Sequence, residues 1–156
     1  MKIGTGIMTV IASAGIATAG IISAPNASAT TFGKFGSWQQ LVDDNGNVVT
    51  AWGVSRPKPS SDTIPNYPLA GQLYEATAGF KALRGSGTPI IPNLNARAAN
   101  GQNYQVLWQA YTPNGIPGAT VNQGSSERGK IYFDVTGAPP TQVAYYNGAT
   151  DLIIWQ

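Results

Sequence analysis

The chain has 156 residues, nine Lys and Arg against seven Asp and Glu for a net charge of +2, and neither Cys nor His. Without imidazole or thiolate there is no Ser-His-Asp triad, no Cys nucleophile and no disulfide, and the usual nitrogen and sulfur ligands of zinc, copper, haem and iron-sulfur centres are missing. Only 10% of residues are charged and the basic ones are scattered, so no nucleic-acid footprint is present.

Residues 1–29 read as a cleavable signal peptide. Met1 and Lys2 precede an uncharged stretch, 3–22, that breaks at Ser23, Ala24 and Pro25, and Ala27-Ser28-Ala29 offers the small residues that a signal peptidase admits. The competing reading is an uncleaved anchor, since twenty uncharged residues can just span a bilayer. Gly4, Gly6, Gly15, Gly20 and the peptidase site favour cleavage after Ala29. No Cys is available for lipidation, and the Asn26-Ala27-Ser28 sequon lies in the segment removed. The remaining residues, 30–156, keep every aromatic and form one domain, large enough to bury roughly two thirds of its unfolded surface.

This mature part has two Glu, Glu75 and Glu127, but is rich in Thr, Val, Ile and Tyr, and Pro and Gly interrupt it every few residues. Helix formers are scarce and strand formers abundant. Asn45-Gly46, Asn100-Gly101 and Asn147-Gly148 each separate two extended runs (35–42 and 48–54, 93–99 and 103–111, 142–146 and 151–155), which predicts three tight hairpins. Asn114-Gly115, with Pro117 after it, reads as a loop. Between the first hairpin and the next strand, residues 55–68 carry Arg56-Pro57-Lys58-Pro59, Pro65 and Pro68. Missing ladder donors make this a long surface connection, of a length that suits a crossover between sheets.

Alternation marks the longer strands. In 71–83 the core face carries Tyr74, Ala76, Ala78, Phe80 and Ala82, opposite Glu75, Thr77 and Lys81. From Tyr104 the inward set is Tyr104, Val106 and Trp108, and in 129–136 it is Ile131, Phe133 and Val135, with Tyr132 and Asp134 outward. About eight strands result, the pattern of an all-β sandwich or barrel.

The strings Ala70-Gly71-Gln72-Leu73-Tyr74-Glu75-Ala76-Thr77, Asn95-Ala96-Arg97, Tyr104-Gln105-Val106-Leu107-Trp108-Gln109-Ala110, Gly129-Lys130-Ile131-Tyr132-Phe133-Asp134-Val135-Thr136-Gly137 and Asp151-Leu152-Ile153-Ile154-Trp155 closely resemble the small secreted immunogenic antigens of mycobacteria. The resemblance runs from about Gly33 to Trp155. It implies an immunoglobulin-like antiparallel β-sandwich, secreted, in a family whose domain has no assigned function and no established catalytic or ligand motif. The Cys pair that pins the sheets of true immunoglobulin domains is absent, so packing must supply the 2–4 kcal/mol or so that a disulfide typically contributes. Most of Trp38, Trp52, Trp108, Trp155, Phe80 and Phe133 are therefore expected in the core.

Candidate sites are few. Asp43-Asp44-Asn45-Gly46-Asn47 places oxygen ligands on alternate residues, but Gly falls too early and Val54 stands where a calcium loop needs its closing Glu, which leaves a polar turn. Ser55-Arg56-Pro57-Lys58 fits S-x-x-K, yet its prolines oppose the helical turn that would join amine to hydroxyl. Seven dispersed acids suggest no carboxyl pair for glycoside hydrolysis, and Glu75 and Asp134 are expected as outward, solubilising charges. Arg56, Lys58, Arg84 and Arg97 form either a patch for anionic surfaces or a solvated rim. No catalytic, cofactor or metal residues are assigned. The expected surface contacts are Tyr111, Tyr145, Tyr146, Arg56 and Lys58, and since Tyr145 and Tyr146 are consecutive on a strand, they face opposite sides. The functional expectation is a secreted, non-enzymatic β-sandwich that recognises an unidentified macromolecule at a host or bacterial surface. It needs no cofactor, and involves no nucleic acid and no membrane after the leader is removed. The alternative is a carrier of a small apolar ligand between the sheets. Sequence alone names neither partner nor oligomeric state.

Overall fold

The structure is a computed structural model that describes residues 9–12 and 29–156. Most of the expected leader, 1–29, and with it the Asn26 sequon, lies outside the described residues. Two sheets face each other. The first contains β1 (Thr9–Ala12), β3 (Trp38–Val42), β4 (Val49–Val54) and β6 (Gln72–Arg84) in that order; β5 (Lys58–Pro59) and β9 (Ser126–Val135) also pair with β6. The second runs β2 (Thr31–Gly33), β11 (Asp151–Trp155), β10 (Pro140–Tyr146), β7 (Leu94–Ala98) and β8 (Asn103–Gln105). Among the described residues the one helical element is a 3-10 turn, Ile91–Asn93. The fold is an all-β, immunoglobulin-like sandwich without cysteine, antiparallel except where β2 joins β11 in parallel. The strands beyond the expected eight are short pieces, β1, β2 and β5, too brief to leave a periodicity in the sequence.

All three Asn-Gly hairpins form. Gly46, Gly101 and Gly148 have φ of 67°, 87° and 95°, the left-handed region that a side chain resists. Asn114-Gly115 lies in a loop whose Ile116 N–H donates to the Lys130 carbonyl, 2.9 Å.

Between the sheets, Trp52 of β4 meets Phe80 of β6 edge-on at 5.0 Å between ring centres and Tyr145 of β10 at 5.8 Å. Trp155 of β11 is also fully buried and reaches back to the first sheet's side, its indole N–H donating to the Ser37 carbonyl at 3.1 Å. Phe133 and Leu94 complete a filled interior. Burial raises the Tyr145 phenol above its ordinary pKa, while hydrogen bonds from Asn93 and Trp52 pull it down. The core face of β6 is the one the alternation predicts.

Three expectations fail on the outer face of the first sheet. Residues 55–68 do not cross between sheets, because both ends stay in the same sheet. Ser55 N–H donates to the Thr77 carbonyl, Lys58 pairs with Glu75, and Ser60 N–H donates to the Leu73 carbonyl, so the segment continues the β4 ladder along β6 with a one-residue slip. It then folds over the sheet and buries Ile64 against Leu73 and Tyr132. Glu75, expected in solvent, is 8% exposed beneath it.

Trp38, expected in the core, lies on this outer face instead. It pairs with Gly53, which pairs with Gly79, and the two glycines form a floor for the indole while the Lys81 ammonium sits 4.0 Å from the ring centre on top. A Cβ at Gly79 would stand 2.6 Å from Trp38 Cη2, and at Gly53 3.1 Å from Cδ2. Gly79→Ala is therefore expected to lift the indole off the sheet and destabilise the protein by roughly 1–3 kcal/mol in urea unfolding, with a smaller loss for Gly53→Ala. Trp52→Ala, which empties the contact between the sheets, is expected to cost about 3–5 kcal/mol in the same measurement, a large share of the 5–15 kcal/mol or so typical of a domain.

Candidate functional site

After β8 the chain leaves one sheet for the other. Val106 N–H donates to the Leu94 carbonyl of the second sheet (3.2 Å), Leu107 N–H to the Tyr132 carbonyl of the first (2.8 Å), and Trp108 N–H turns back onto the Val106 carbonyl (2.9 Å). This switch ends the alternation after Val106. Trp108, expected to continue the inward set of Tyr104 and Val106, emerges 48% exposed.

Beside it an open cleft of about 420 Å³ runs along the seam where β8 meets β9. Trp108, Tyr67, Gln105, Gln109, Asn103 and Asp134 are among its walls. Tyr67 closes a turn through Ile64, Pro65 and Asn66, its N–H reaching the Ile64 carbonyl at 3.4 Å. Pro65 supplies the fixed φ of the turn's second residue, and Asn66, with φ 58°, is the one non-glycine at positive φ among the described residues. Asp134 is no solubilising charge: its two carboxylate oxygens accept the N–H groups of Ala70 (2.8 Å) and Gly71 (2.7 Å), anchoring the end of the Pro-rich segment. Asn103 is also committed, to Arg97 Nε at 3.0 Å and to Asn95 Oδ1 at 3.1 Å.

A second cluster holds the same segment down from within. Lys130 Nζ lies 2.6 Å from Asp62 Oδ2 and 3.0 Å from Glu75 Oε2. Tyr132 donates its hydroxyl to the same Asp62 oxygen at 2.6 Å, and Ser60 donates to Glu75. Glu75 faces Tyr132 across the ladder and Thr77 faces Lys130, so the Glu75–Lys130 pair is the diagonal one. Hydrogen bonds from Lys130 and Tyr132 hold the Asp62 carboxyl below the ordinary carboxylate range, and the two carboxylates raise the Lys130 ammonium. Burial, then the bond to Asp62, pushes the Tyr132 phenol up to about 12. A carboxyl pair for glycoside hydrolysis needs one acid kept protonated. Here an ammonium sits between the two carboxyls and keeps Asp62 ionised, an arrangement that fastens a loop.

The residues expected as surface contacts do not share one surface. Tyr111 is 75% exposed just beyond the cleft wall. Tyr145 is buried at 2%, its ring consumed by the contact with Trp52, so it is corrected from contact to core. Tyr146 faces the other way as expected, its hydroxyl donating to the Gly148 carbonyl across the β10–β11 turn. Arg56 and Lys58 are exposed on the first sheet, with the Arg56 guanidinium 4.9 Å from the Phe35 ring centre. The four cations do not gather. Arg84 pairs with Val49 at the far end of β4 from Arg56, and Arg97, in the other sheet, is tied bidentately to Asp151. Asp43 spends Oδ1 on the Val48 N–H, 2.9 Å, within the first hairpin, and the Ser55 hydroxyl accepts the Thr77 N–H, 2.8 Å, in extended chain. The cleft residues Tyr67, Gln105 and Gln109 were not assigned to a site from sequence, and Trp108 was expected in the core. The one signal was a Trp between two Gln just where a regular strand had to end.

The Lys130 cluster predicts how stability depends on pH. Asp62, with its folded pKa lowered, contributes stability above the ordinary value of 3.8 that is lost as the pH falls through the folded one. Tyr132 and Lys130, with theirs raised, contribute stability below their ordinary values of 10.0 and 10.5 that is lost as the pH rises beyond. Tm is thus expected to be flat between about pH 5 and 9 and to fall on both sides, and Asp62→Asn is expected to flatten the acid limb while lowering the plateau.

Comparison with known proteins agrees with this fold. Residues 30–155 match the family described as "Domain of unknown function (DUF1942)". Immunogenic protein MPB63 of Mycobacterium bovis and immunogenic protein MPT63 of Mycobacterium tuberculosis are each 50% identical over 158 residues, covering 100% of this chain and 99% of theirs. The crystal structure of MPT63, a secreted protein from M. tuberculosis, superposes with a TM-score of 0.80 at 52% identity, over 83% of this chain and 99% of that one. A match across the whole sandwich at that identity makes the chain a member of the DUF1942 family of secreted, immunogenic β-sandwich proteins.

Proposed function

We propose that the protein is a non-enzymatic recognition module that binds a macromolecule at a host or bacterial surface through the rim of the seam cleft, with Trp108 and Tyr111 as the contact aromatics. The observation that carries this reading is their exposure, 48% and 75%, in a molecule whose other large rings are mostly consumed inside. Rigid aromatics offer contact area at low entropic cost, and loops on a β-sandwich are where such proteins present them. The paired carboxyls Asp62 and Glu75 are bridged by Lys130 and fasten a loop, which supports the same view. Between the sheets Trp52, Trp155, Tyr145, Phe80 and Phe133 are packed together, which favours surface recognition over carriage of an apolar ligand.

The test is retention by immobilised residues 30–156 exposed to host surface proteins and to mycobacterial cell-wall extract. A macromolecule is expected to be retained, with affinity reduced at least tenfold, about 1.4 kcal/mol, by Trp108→Ala combined with Tyr111→Ala and unchanged by Tyr146→Ala. Equal retention by the double variant would remove the cleft rim as the site, and a co-purified lipid in place of a macromolecule would restore the carrier reading.

A further inference from the structure

We propose that the seam cleft is a binding site for a neutral oligosaccharide, a reading that rests on the recognition role above and names its ligand class. Four features of the cleft converge. Trp108 presents a half-exposed indole on one wall, its backbone held to both sheets' residues through Leu107 N–H to Tyr132 and Trp108 N–H to Val106. The electron-rich face of an indole attracts the polarised C–H groups on the flat side of a sugar ring.

Beside the indole, Gln105 and Gln109 are exposed, and their amides form no side-chain hydrogen bond with another described residue. Each offers two donors and a carbonyl acceptor, which is the complement a sugar hydroxyl needs. The charged and remaining amide groups of the walls are already engaged, Asp134 with two backbone N–H groups and Asn103 with Arg97 and Asn95. What is left free is therefore neutral. A phosphate or carboxylate ligand would find no uncommitted cation on the walls and would face the Asp134 charge.

Shape points the same way. About 420 Å³ falls within the roughly 300–1,000 Å³ of small-ligand sites, and the cleft is open to solvent, so a ligand seated in it can extend beyond its walls as an oligosaccharide does. Tyr67, set by the Pro65-Asn66 turn with its left-handed Asn66, stands among the walls as a second aromatic.

The experiment titrates the secreted protein, purified from culture medium, with cellohexaose and with mannohexaose, and screens it on an array of neutral oligosaccharides. Trp52 and Trp155 are fully buried and Trp38 lies on the outer face of the first sheet, apart from the cleft walls, so a saturable change in tryptophan emission caused by a ligand in the cleft would come mainly from Trp108. Such a change is expected with at least one neutral glycan. Binding followed by calorimetry, which needs no indole reporter, is expected to disappear in Trp108→Ala, to weaken about tenfold in Gln109→Ala, and to persist in Trp108→Phe at reduced affinity and in Tyr146→Ala unaltered. Both cleft side chains are exposed, so these variants fold, and an unchanged Tm verifies it. No saturable binding to any neutral glycan, or binding that survives Trp108→Ala, overturns the proposal. Retention of a protein partner that Trp108→Ala abolishes, without any glycan response, would remove the carbohydrate assignment and leave the recognition role standing.

Discussion

Ten consecutive residue pairs join β6 to β9, and both faces of that ladder are covered. On one face Ala76, Ala78, Phe80, Ile131 and Phe133 pack toward the second sheet; on the other Leu73, Glu75 and Tyr132 lie beneath the Pro-rich segment. An antiparallel sheet commonly leaves one face to water, which is why its strands read as apolar and polar in alternation. This one does not, and the difference comes from a single set of charges: Lys130, reaching across the ladder to Glu75 and out to Asp62 on the covering segment.

That clamp reaches further than its own contacts. With Asp62 held, Ile64 is seated on Leu73 and Tyr132, the turn at Pro65-Asn66 follows, and Tyr67 and the chain up to Gly71 are delivered to Asp134. One wall of the cleft is thereby built. The opposite wall comes from the sheet switch at Val106-Leu107, which ties β8 to β9 and turns Trp108 out. Two independent devices, an ion-pair cluster and a change of sheet, thus converge on one seam. Conformational entropy opposes ordering a long loop, and the combined polar clamp and small apolar cluster offset that cost without a disulfide.

In the absence of cysteine the two sheets are held by large rings in contact: Trp52 between Phe80 and Tyr145, and Trp155 hydrogen-bonded to Ser37. These contacts consume many of the aromatics that would otherwise be available for recognition; of those left exposed, Phe32, Trp108, Tyr111 and Tyr146, it is Trp108 and Tyr111 that stand at the cleft. The indole of Trp38 follows a third course, lying on a floor of Gly53 and Gly79 under Lys81, where it covers the outer sheet face by shape and not by interior packing.

Features that depend on neighbours in the chain were legible from sequence. Asn-Gly turns, the alternation of Tyr74 to Ala82 and of Ile131 to Val135, and the all-β class follow from local backbone preference and from the two-residue period of a strand. Outward faces were read as solvated because a strand's own sequence shows only which side is polar, and Glu75 is polar whether it meets water or Lys130. Asp62 lies 68 residues from Lys130, and Trp108 turns outward where the preceding Leu107 N–H bonds a carbonyl of Tyr132. The sequence by itself determined the longer strands, the Asn-Gly turns and the core faces of β6 and β9. Tertiary structure alone decided what covers the other face and where a strand changes sheets, since both are set by pairings between segments far apart in the chain, to which local propensity and periodicity are blind.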